Sequence, residues 1–137
     1  MNIQHKSGLT SELKAASYFA SEGYEIYWPM CTQSRCDFVV FKNEYFSKVQ
    51  IKTATWSKTG EHLYLQCRLT NRNGYSTSYI EGDFDWIVFV DGDRMWVAGW
   101  DDVDGLTSVC LDCTNPDYKP NKKTYDPNSW LVTKDED

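Results

Sequence analysis

The sequence predicts an α/β (α+β) fold in which helices flank a central mixed β-sheet. Three observations lead to this prediction: a helix-like N-terminal segment, two pairs of apolar runs each joined by a short polar turn, and a long polar C-terminal stretch. At 137 residues the chain is long enough to bury a single core. We therefore expect residues 1–137 to form one domain, with an irregular polar tail from about residue 115.

The first predicted element is a helix over residues 7–22. Ser7 is a suitable N-cap, and Gly23 stands where helices often end on glycine. Apolar residues that recur at helical spacing are expected to form the buried stripe: Leu9, Leu13, Ala16 and Ala20, joined by Ala15 and Phe19. Glu12 lies beside this stripe. Taken by itself it is typical of a solvent-facing acid, because charged helix residues are mostly exposed.

Strands and turns are predicted for most of the remaining chain. In order, they are a strand at 24–28, a hairpin around a turn at 42–45, a polar loop at 53–61, a strand at 62–69, a polar loop at 70–78 and a hairpin at 85–99. Pro29 ends the first strand, and the Asp91-Gly92 dipeptide is a strong hairpin signal. Residues 100–111 fit either a short helix or a strand.

The first hairpin carries three polar residues that a small sheet would not bury without a reason. Asp37 heads its first strand, and Gln50 and Lys52 stand two apart on the second, so their side chains leave the same face. An acid and an ammonium on inner strands are costly unless they are paired or functional. The hairpin is therefore the candidate functional site. The alternative is a soluble α/β domain in which Asp37 and Lys52 form a simple ion pair.

This arrangement resembles the PD-(D/E)xK nuclease superfamily, which has an acid at a strand start and then an acid and a lysine two apart on the next strand. Asp37 matches the first acid, and Gln50-Ile51-Lys52 matches the second motif with glutamine in the acid's place. This variant is most similar to small intron-encoded homing endonucleases, close to the Holliday junction resolvases. Glu12 matches the glutamate of an upstream helix. The resemblance covers roughly the first two-thirds of the chain.

The resemblance implies a restriction-endonuclease-like core and a Mg²⁺-dependent DNA endonuclease, with Mn²⁺ expected to substitute. Asp37 would anchor the metal, the Gln50 amide and the Ile51 carbonyl would add oxygen ligands, and Glu12 would hold a metal-bound water. Lys52 would orient the attacking water or stabilise charge in the transition state. Glutamine is a weaker ligand than a carboxylate, so the same resemblance leaves an inactive version open.

DNA and a second copy of the chain are the partners implied. Arg35, Trp56, Lys58 and Arg72 are the expected DNA contacts, because cations bind phosphates and an indole can stack on a base. Ion pairing within the protein and hydrophobic cover are the ordinary alternatives for these residues. A chain this small would need a homo-oligomer, a dimer or tetramer, to cut two strands.

Charge is divided unevenly along the chain. The net charge of −6 argues against a generic DNA-binding surface, which is usually basic. Residues 1–78, however, carry +3, and residues 79–137 carry −9. A phosphate-binding face would therefore be local to the first part. Two alternative functions stay open: a Holliday junction resolvase, and a non-catalytic acidic binding or inhibitor protein built on a nuclease fold.

Location and cysteine usage are less informative. The N-terminus lacks the apolar segment of a signal peptide and no stretch approaches a membrane span, so we expect a cytoplasmic protein with reduced thiols. The Cys110-x-x-Cys113 spacing is compatible with zinc or redox chemistry. A structural zinc needs four ligands, and Cys31 and Cys36 lie far away with unusual spacing. We predict ordinary buried thiols and no zinc.

Overall fold

A computed structural model describes residues 3–31, 34, 36–72, 76–114 and 125–132. In chain order the elements are α1 (Ile3–Ser21), β1 (Glu25–Tyr27), β2 (Phe38–Lys42), β3 (Tyr45–Thr53), β4 (Thr55–Thr59), β5 (His62–Arg68), β6 (Thr70–Arg72), β7 (Ser76–Ser78), β8 (Trp86–Asp91), β9 (Arg94–Gly99), α2 (Trp100–Val103), β10 (Ser108–Cys113), a 3-10 helix (Pro127–Trp130) and β11 (Leu131–Val132). None of the helices in these described ranges is long and apolar enough to cross a membrane.

The central sheet has six strands in the order β1-β2-β3-β8-β9-β11. It is mixed, because β3 and β8 run parallel while the other neighbours are antiparallel. The predicted fold class is confirmed, with α1 packed on one face. On the other face a three-stranded sheet, β10-β5-β4, stands where a helix was expected. A further ribbon joins β6 and β7.

Each face of the central sheet has its own core. Residues of α1 pack against alternate residues of β2, β3 and β8: Ala15, Phe19, Phe38, Val40, Val49, Ile51, Val88 and Val90. The opposite face of β8 and β9 packs against the three-stranded sheet, with Ile87, Phe89, Trp96 and Ala98 meeting Leu65, Cys67, Val109 and Leu111. Because side chains alternate along β3, Gln50 and Lys52 point away from the helix.

Helix α1 differs from the prediction in its start and in its buried face. It begins at Ile3, so Ser7 lies inside the helix and is not the N-cap. Its end is as expected: Gly23 has a φ of +91°, and the Tyr24 N–H donates to the Phe19 carbonyl at 3.0 Å. This hydrogen bond, with the one from the Gly23 N–H to the Ala20 carbonyl, completes a Schellman motif.

The predicted buried stripe of α1 is wrong for its two leucines. Leu9 is 43% exposed and Leu13 is 55% exposed, whereas Ala15 is fully buried and Phe19 nearly so. The buried face follows Ser11, Ala15 and Phe19, which recur every four residues. Small side chains at the first two positions let the helix lie close to the sheet, and Phe19 fills the space further along.

Both predicted hairpins are confirmed. Two residues, Asn43 and Glu44, connect β2 to β3, and both have positive φ values of 53° and 70°. Positive φ at both central residues is the type I′ turn, whose twist matches that of paired strands. In the second hairpin, Gly92 with a φ of +56° lies in the turn between β8 and β9.

Three segments predicted to lack regular structure form strands. Within the predicted loop 53–61, β4 pairs with β5. Within the predicted loop 70–78, the paired strands β6 and β7 stand at the two ends. The described part of the predicted irregular tail, residues 125–132, contains the 3-10 helix and β11, which pairs with β9. Residues 100–111 contain both of the alternatives, α2 and the start of β10.

Candidate active site

Asp37 occupies the point where β2 and β3 begin to separate. Its backbone N–H donates to the Val49 carbonyl at 2.9 Å, which continues the ladder one residue beyond β2. Its carboxylate Oδ2 then accepts two hydrogen bonds, from the Ile51 N–H at 2.6 Å and from Gln50 Nε2 at 3.0 Å. The carboxylate thus replaces a backbone acceptor in the ladder, and this fixes its orientation against β3.

Glu12 reaches the same point from α1. Burial, followed by the hydrogen bond and the negative charge of Asp37, raises the pKa of Glu12 from 4.5 to about 7. Two carboxyl groups therefore face each other, and this keeps the Glu12 carboxyl partly protonated near neutral pH. Such a pair binds a cation readily, because a positive charge replaces the proton and relieves the repulsion.

Most of the atoms that could coordinate a metal ion at this point are oxygens. The N–H and the C=O of one strand residue point to the same side of the strand. The Ile51 N–H donates to Asp37, so the Ile51 carbonyl also points toward the Asp37 side of β3. In the described part of the chain, no three His, Cys, Asp or Glu side chains come together. The set is therefore two carboxylates, the Gln50 amide and a main-chain carbonyl. These are ligands suited to Mg²⁺, which needs few carboxylates because it keeps several waters.

Lys52 leaves the same face of β3 as Gln50 and is directed toward the neighbouring ribbon. Its ammonium donates to the Thr70 carbonyl at 3.2 Å and lies 5.3 Å from the centroid of the Tyr79 ring. Burial raises the pKa of the nearby Cys67 thiol to about 12, although the Lys52 charge opposes that rise. The Lys52 side chain is therefore half-buried, and its ammonium is held by Thr70 and Tyr79.

A partly buried hydrogen bond joins the helix to the strand at this site. Ser11, which is 4% exposed, has its Oγ 2.7 Å from Thr53 Oγ1. Ser11 precedes Glu12 in the chain, and Thr53 follows Lys52. The bond therefore fixes the turn of α1 that carries Glu12 against the end of β3. Sequence reasoning did not assign either residue to the site; adjacency to a candidate residue was the signal available for both.

Comparison with known proteins decides the family. A sequence model of the PD-(D/E)XK endonuclease family matches residues 1–127. The chain belongs to this family. Protein 5.3 of Escherichia phage T7 is 40% identical over 119 residues, which are 87% of this chain and 99% of that protein. The bacterial homing endonuclease I-Ssp6803I has the same fold, with a TM-score of 0.71 and 18% identity over 95% of this chain and 89% of that one.

The structure places the matches to the PD-(D/E)XK pattern as the sequence ordered them. Glu12, Asp37, Gln50 and Ile51 meet at one point, with Asp37 at their centre. Lys52 shares the strand face, and its ammonium contacts the β6–β7 ribbon. Gln50 departs from the residue pattern after which the family is named. It adds no third carboxylate, and its amide N–H donates to Asp37.

Of the four expected DNA contacts, two lie on β4 and the side chains of the other two are outside the described part of the structure. Trp56 and Lys58 are both exposed and stand two apart on β4, on the same side of the three-stranded sheet. The backbone of Arg72 lies in β6, but its side chain is outside the described part of the structure. Arg35 lies outside the described residues altogether.

The cysteines differ from the predicted set of buried thiols. None of the five is in a disulfide, and of the five only Cys67 is buried; Cys31 is exposed and the others are half-buried. A β-bulge lies between Cys110 and Asp112, and it turns Cys110 and Cys113 to the same side of β10. Burial, followed by the nearby Cys113, raises the pKa of the Cys110 thiol, which keeps that thiol protonated near neutral pH.

Proposed function

We propose that this protein is a Mg²⁺-dependent DNA endonuclease, most like a homing endonuclease, with its active site at Glu12, Asp37, Gln50, Ile51 and Lys52. The observation that carries the proposal is the Glu12–Asp37 carboxyl pair, whose raised Glu12 pKa marks a place where a cation is favoured. Its position at the diverging ends of β2 and β3 supports the same conclusion, because there the carboxyl groups are backed by strand hydrogen bonds.

Each residue has a role that follows from its contacts. Asp37 and the Ile51 carbonyl would hold Mg²⁺ directly, and Gln50 would contribute its amide oxygen after rotation of the side-chain amide. Glu12 would lose its proton and bind a metal-coordinated water. The bound ion would lower the pKa of a water and neutralise charge on the phosphate. Mn²⁺ would substitute, because it also accepts oxygen ligands.

Lys52 would act on the phosphate or on the attacking water. The Thr70 carbonyl and the Tyr79 ring both attract the Lys52 ammonium, so they limit its rotamers. A charged, preorganised donor beside the carboxylates stabilises negative charge that develops on the phosphate oxygens. The exposed Trp56 and Lys58, together with Arg35 and Arg72, would contact the DNA backbone and bases.

Cleavage assays with matched variants test this proposal. Supercoiled plasmid and a synthetic four-way junction are incubated with Mg²⁺, Mn²⁺ or EDTA. The parent is compared with Asp37→Asn, which keeps an oxygen acceptor for the Ile51 N–H, and with Lys52→Met, which keeps the alkyl chain. Thermal melting of each variant establishes that it is folded. We expect metal-dependent cutting by the parent and a loss of at least about a hundredfold in both variants.

The substrate preference then separates the two endonuclease types. Cutting of the junction without cutting of the plasmid would identify a resolvase. Because a homing enzyme whose site is missing from the plasmid would cut neither, Mg²⁺ titration by calorimetry is run beside the assay. Binding of Mg²⁺ that disappears in Asp37→Asn supports the active site. No cutting together with no Asp37-dependent Mg²⁺ binding would overturn the proposal and favour the acidic binding protein.

A further inference from the structure

An aromatic patch lies on the part of the central sheet that the three-stranded sheet leaves uncovered. The strand register puts Tyr27 of β1, Phe41 of β2 and Phe46 of β3 on the face opposite α1. Phe46 is 63% exposed and Tyr27 is 48% exposed. The ring centroids of Phe41 and Phe46 are 4.4 Å apart, and those of Tyr27 and Phe46 are 5.8 Å apart. The three rings therefore form one contiguous surface, the aromatic patch.

The charges around the aromatic patch suit a protein partner better than a phosphate backbone. One acid, Glu25, which pairs across the strands with Phe41, and one base, Lys48, in the next row, flank the rings. One further acid and one further base, Asp37 and Lys52 of the candidate site, lie farther along the same face. Lys48 already donates to the Gly82 carbonyl at 2.6 Å, and Glu25 accepts from the Tyr27 hydroxyl at 2.7 Å. The patch is thus close to neutral, whereas surfaces that bind phosphates carry several cations. Tyr and Phe are also the residue types enriched in protein interfaces.

We propose that the aromatic patch is the contact surface for a second copy of this chain. Glu25 lies on β1 and Lys48 on β3, so the two charges flank the rings on opposite sides. A two-fold axis lying in the contact plane and passing between them brings each Glu25 opposite the Lys48 of the other copy. The surface is therefore complementary to itself, with aromatic rings at the centre and an ion pair on either side.

This inference rests on the proposed endonuclease function for its biological purpose, because cutting two strands requires two sites. Asp37 precedes β2 and lies four residues from Phe41, or roughly 14 Å along the strand. Two copies joined at the aromatic patch would hold their sites within about 30 Å of each other, which is less than one turn of duplex DNA, about 34 Å. The contact thus places both sites within reach of one duplex.

The oligomeric state of the full chain, measured by sedimentation without DNA or metal, tests the proposal. We expect the parent to sediment as a dimer and Phe46→Ser to weaken dimerisation by about tenfold or more. Tyr45→Ser is the matched control, because Tyr45 is 76% exposed, is adjacent in the chain and points to the other face of the hairpin. It should change the dissociation constant by less than about twofold.

Charge exchange tests the two-fold arrangement itself. Glu25→Lys and Lys48→Glu should each weaken the dimer by about tenfold through like charges, and the double variant should return to within about threefold of the parent. A parent that is monomeric at every concentration would overturn the inference. So would a Phe46→Ser variant that keeps the parental mass but loses DNA affinity, which would make DNA the occupant. A dimer that neither cuts DNA nor binds Mg²⁺ through Asp37 would overturn only the endonuclease, and a monomer that cuts DNA would overturn only the interface.

Discussion

In the proposed active site, Glu12 and Asp37 would couple the protonation of the site to its occupation by a cation. An isolated glutamate is ionised at neutral pH, but here burial and the neighbouring carboxyl raise the pKa of Glu12 to about 7. A divalent cation that bound at this site would have to displace the proton from Glu12. The apparent affinity for Mg²⁺ should therefore rise with pH up to about 7 and change little above it.

Replacing Glu12 by glutamine should remove a pH dependence of stability. Because the folded pKa lies above 4.5, the folded state binds the proton more tightly than the unfolded state does. The resulting stabilisation is complete below pH 4.5 and is lost as the pH rises to about 7. Without metal, Glu12→Gln should match the parent near pH 4 and exceed it by on the order of 1 kcal/mol at pH 8.

Urea unfolding at several pH values measures this difference. Glu22→Gln is the control, because Glu22 is an exposed acid just beyond the end of the same helix. Its stability should follow that of the parent across the pH range. A Glu12→Gln variant that stays parallel to the parent from pH 4 to pH 8 would show that the pKa of Glu12 is not raised in the folded protein.

Because Gln50 is neutral, the site without metal carries less negative charge than it would with a glutamate at this position. Its amide N–H donates to Asp37, so replacing it with glutamate exchanges a hydrogen bond for a repulsive contact. We expect Gln50→Glu to lower the stability by roughly 1–2 kcal/mol in EDTA and to bind Mg²⁺ about tenfold more tightly than the parent. Thermal melting and calorimetry measure the two effects; equal Mg²⁺ affinity in both proteins would remove residue 50 from the ligand set.

The site could be predicted from sequence only as far as local geometry extends. Gln50 and Lys52 share a face because a strand repeats every two residues, and Asp37 joins them because the turn fixes the hairpin register. The contact of Glu12 with Asp37 depends on how α1 packs on the sheet, and no local pattern specifies that. Nothing in the sequence indicated that Tyr79 lies beside Lys52, because Tyr79 follows a segment that was predicted to be a loop.

At the level of elements, α1 shows why an apolar stripe does not by itself identify the buried face. Two sets of residues recur at helical spacing, and the one that contains the two leucines, Leu9 and Leu13, is the exposed one. The sheet selects the other because Ser11 finds a partner in Thr53 and because Ala15 allows close approach. A helix that must present Glu12 to Asp37 cannot also bury its leucines.

Alanine substitutions in α1 distinguish the two faces. Phe19 is 3% exposed and packs edge-on against Tyr24 and Phe38, so Phe19→Ala should cost about 3–4 kcal/mol of unfolding free energy. Leu13→Ala should cost less than about 1 kcal/mol, because much of that side chain stays in water. Chemical denaturation measures both values, and equal losses would restore the face predicted from the sequence.

Polar strands were the other elements that the sequence did not reveal. β4 contains Thr55, Ser57 and Lys58, a composition typical of a loop. It is a strand because β5 provides a partner and because Gln66 donates to Ser57 Oγ across the pair at 2.8 Å. The ribbon of β6 and β7 is similar. Pairing between strands, rather than the preference of each segment, decides the structure here.

At the scale of the whole molecule, the C-terminal segment completes the core on the face of the central sheet opposite α1. Trp130 is 8% exposed, and its ring is stacked at 5.3 Å on Tyr125, whose hydroxyl accepts a hydrogen bond from the Cys110 N–H. Polar composition predicted an irregular tail, and one aromatic pair with a two-residue strand was too short a pattern to alter that prediction. The core between the central sheet and the three-stranded sheet therefore depends on Tyr125 and Trp130 as well as on β8 and β9.

The uneven charge of the chain should confine DNA to a small, basic area. Residues 79–137 carry −9 and repel phosphates, so only a few cations can approach the backbone, and the affinity should depend weakly on salt. Lys58 is exposed on β4, and Lys58→Ala should lower the slope of log affinity against log salt by about 1. Lys14, on α1, already donates to the Gly92 carbonyl at 2.7 Å, so Lys14→Ala should leave the slope unchanged.

Fluorescence anisotropy of a labelled four-way junction and of a labelled duplex, with Ca²⁺ in place of Mg²⁺ to prevent cutting, measures these slopes. If Lys14→Ala lowered the slope as much as Lys58→Ala, the charges would act through the overall field of the protein and not through a contact. If neither changed it, DNA would not approach β4. A change confined to Lys58→Ala places the substrate along the three-stranded sheet, on the side of the molecule away from α1.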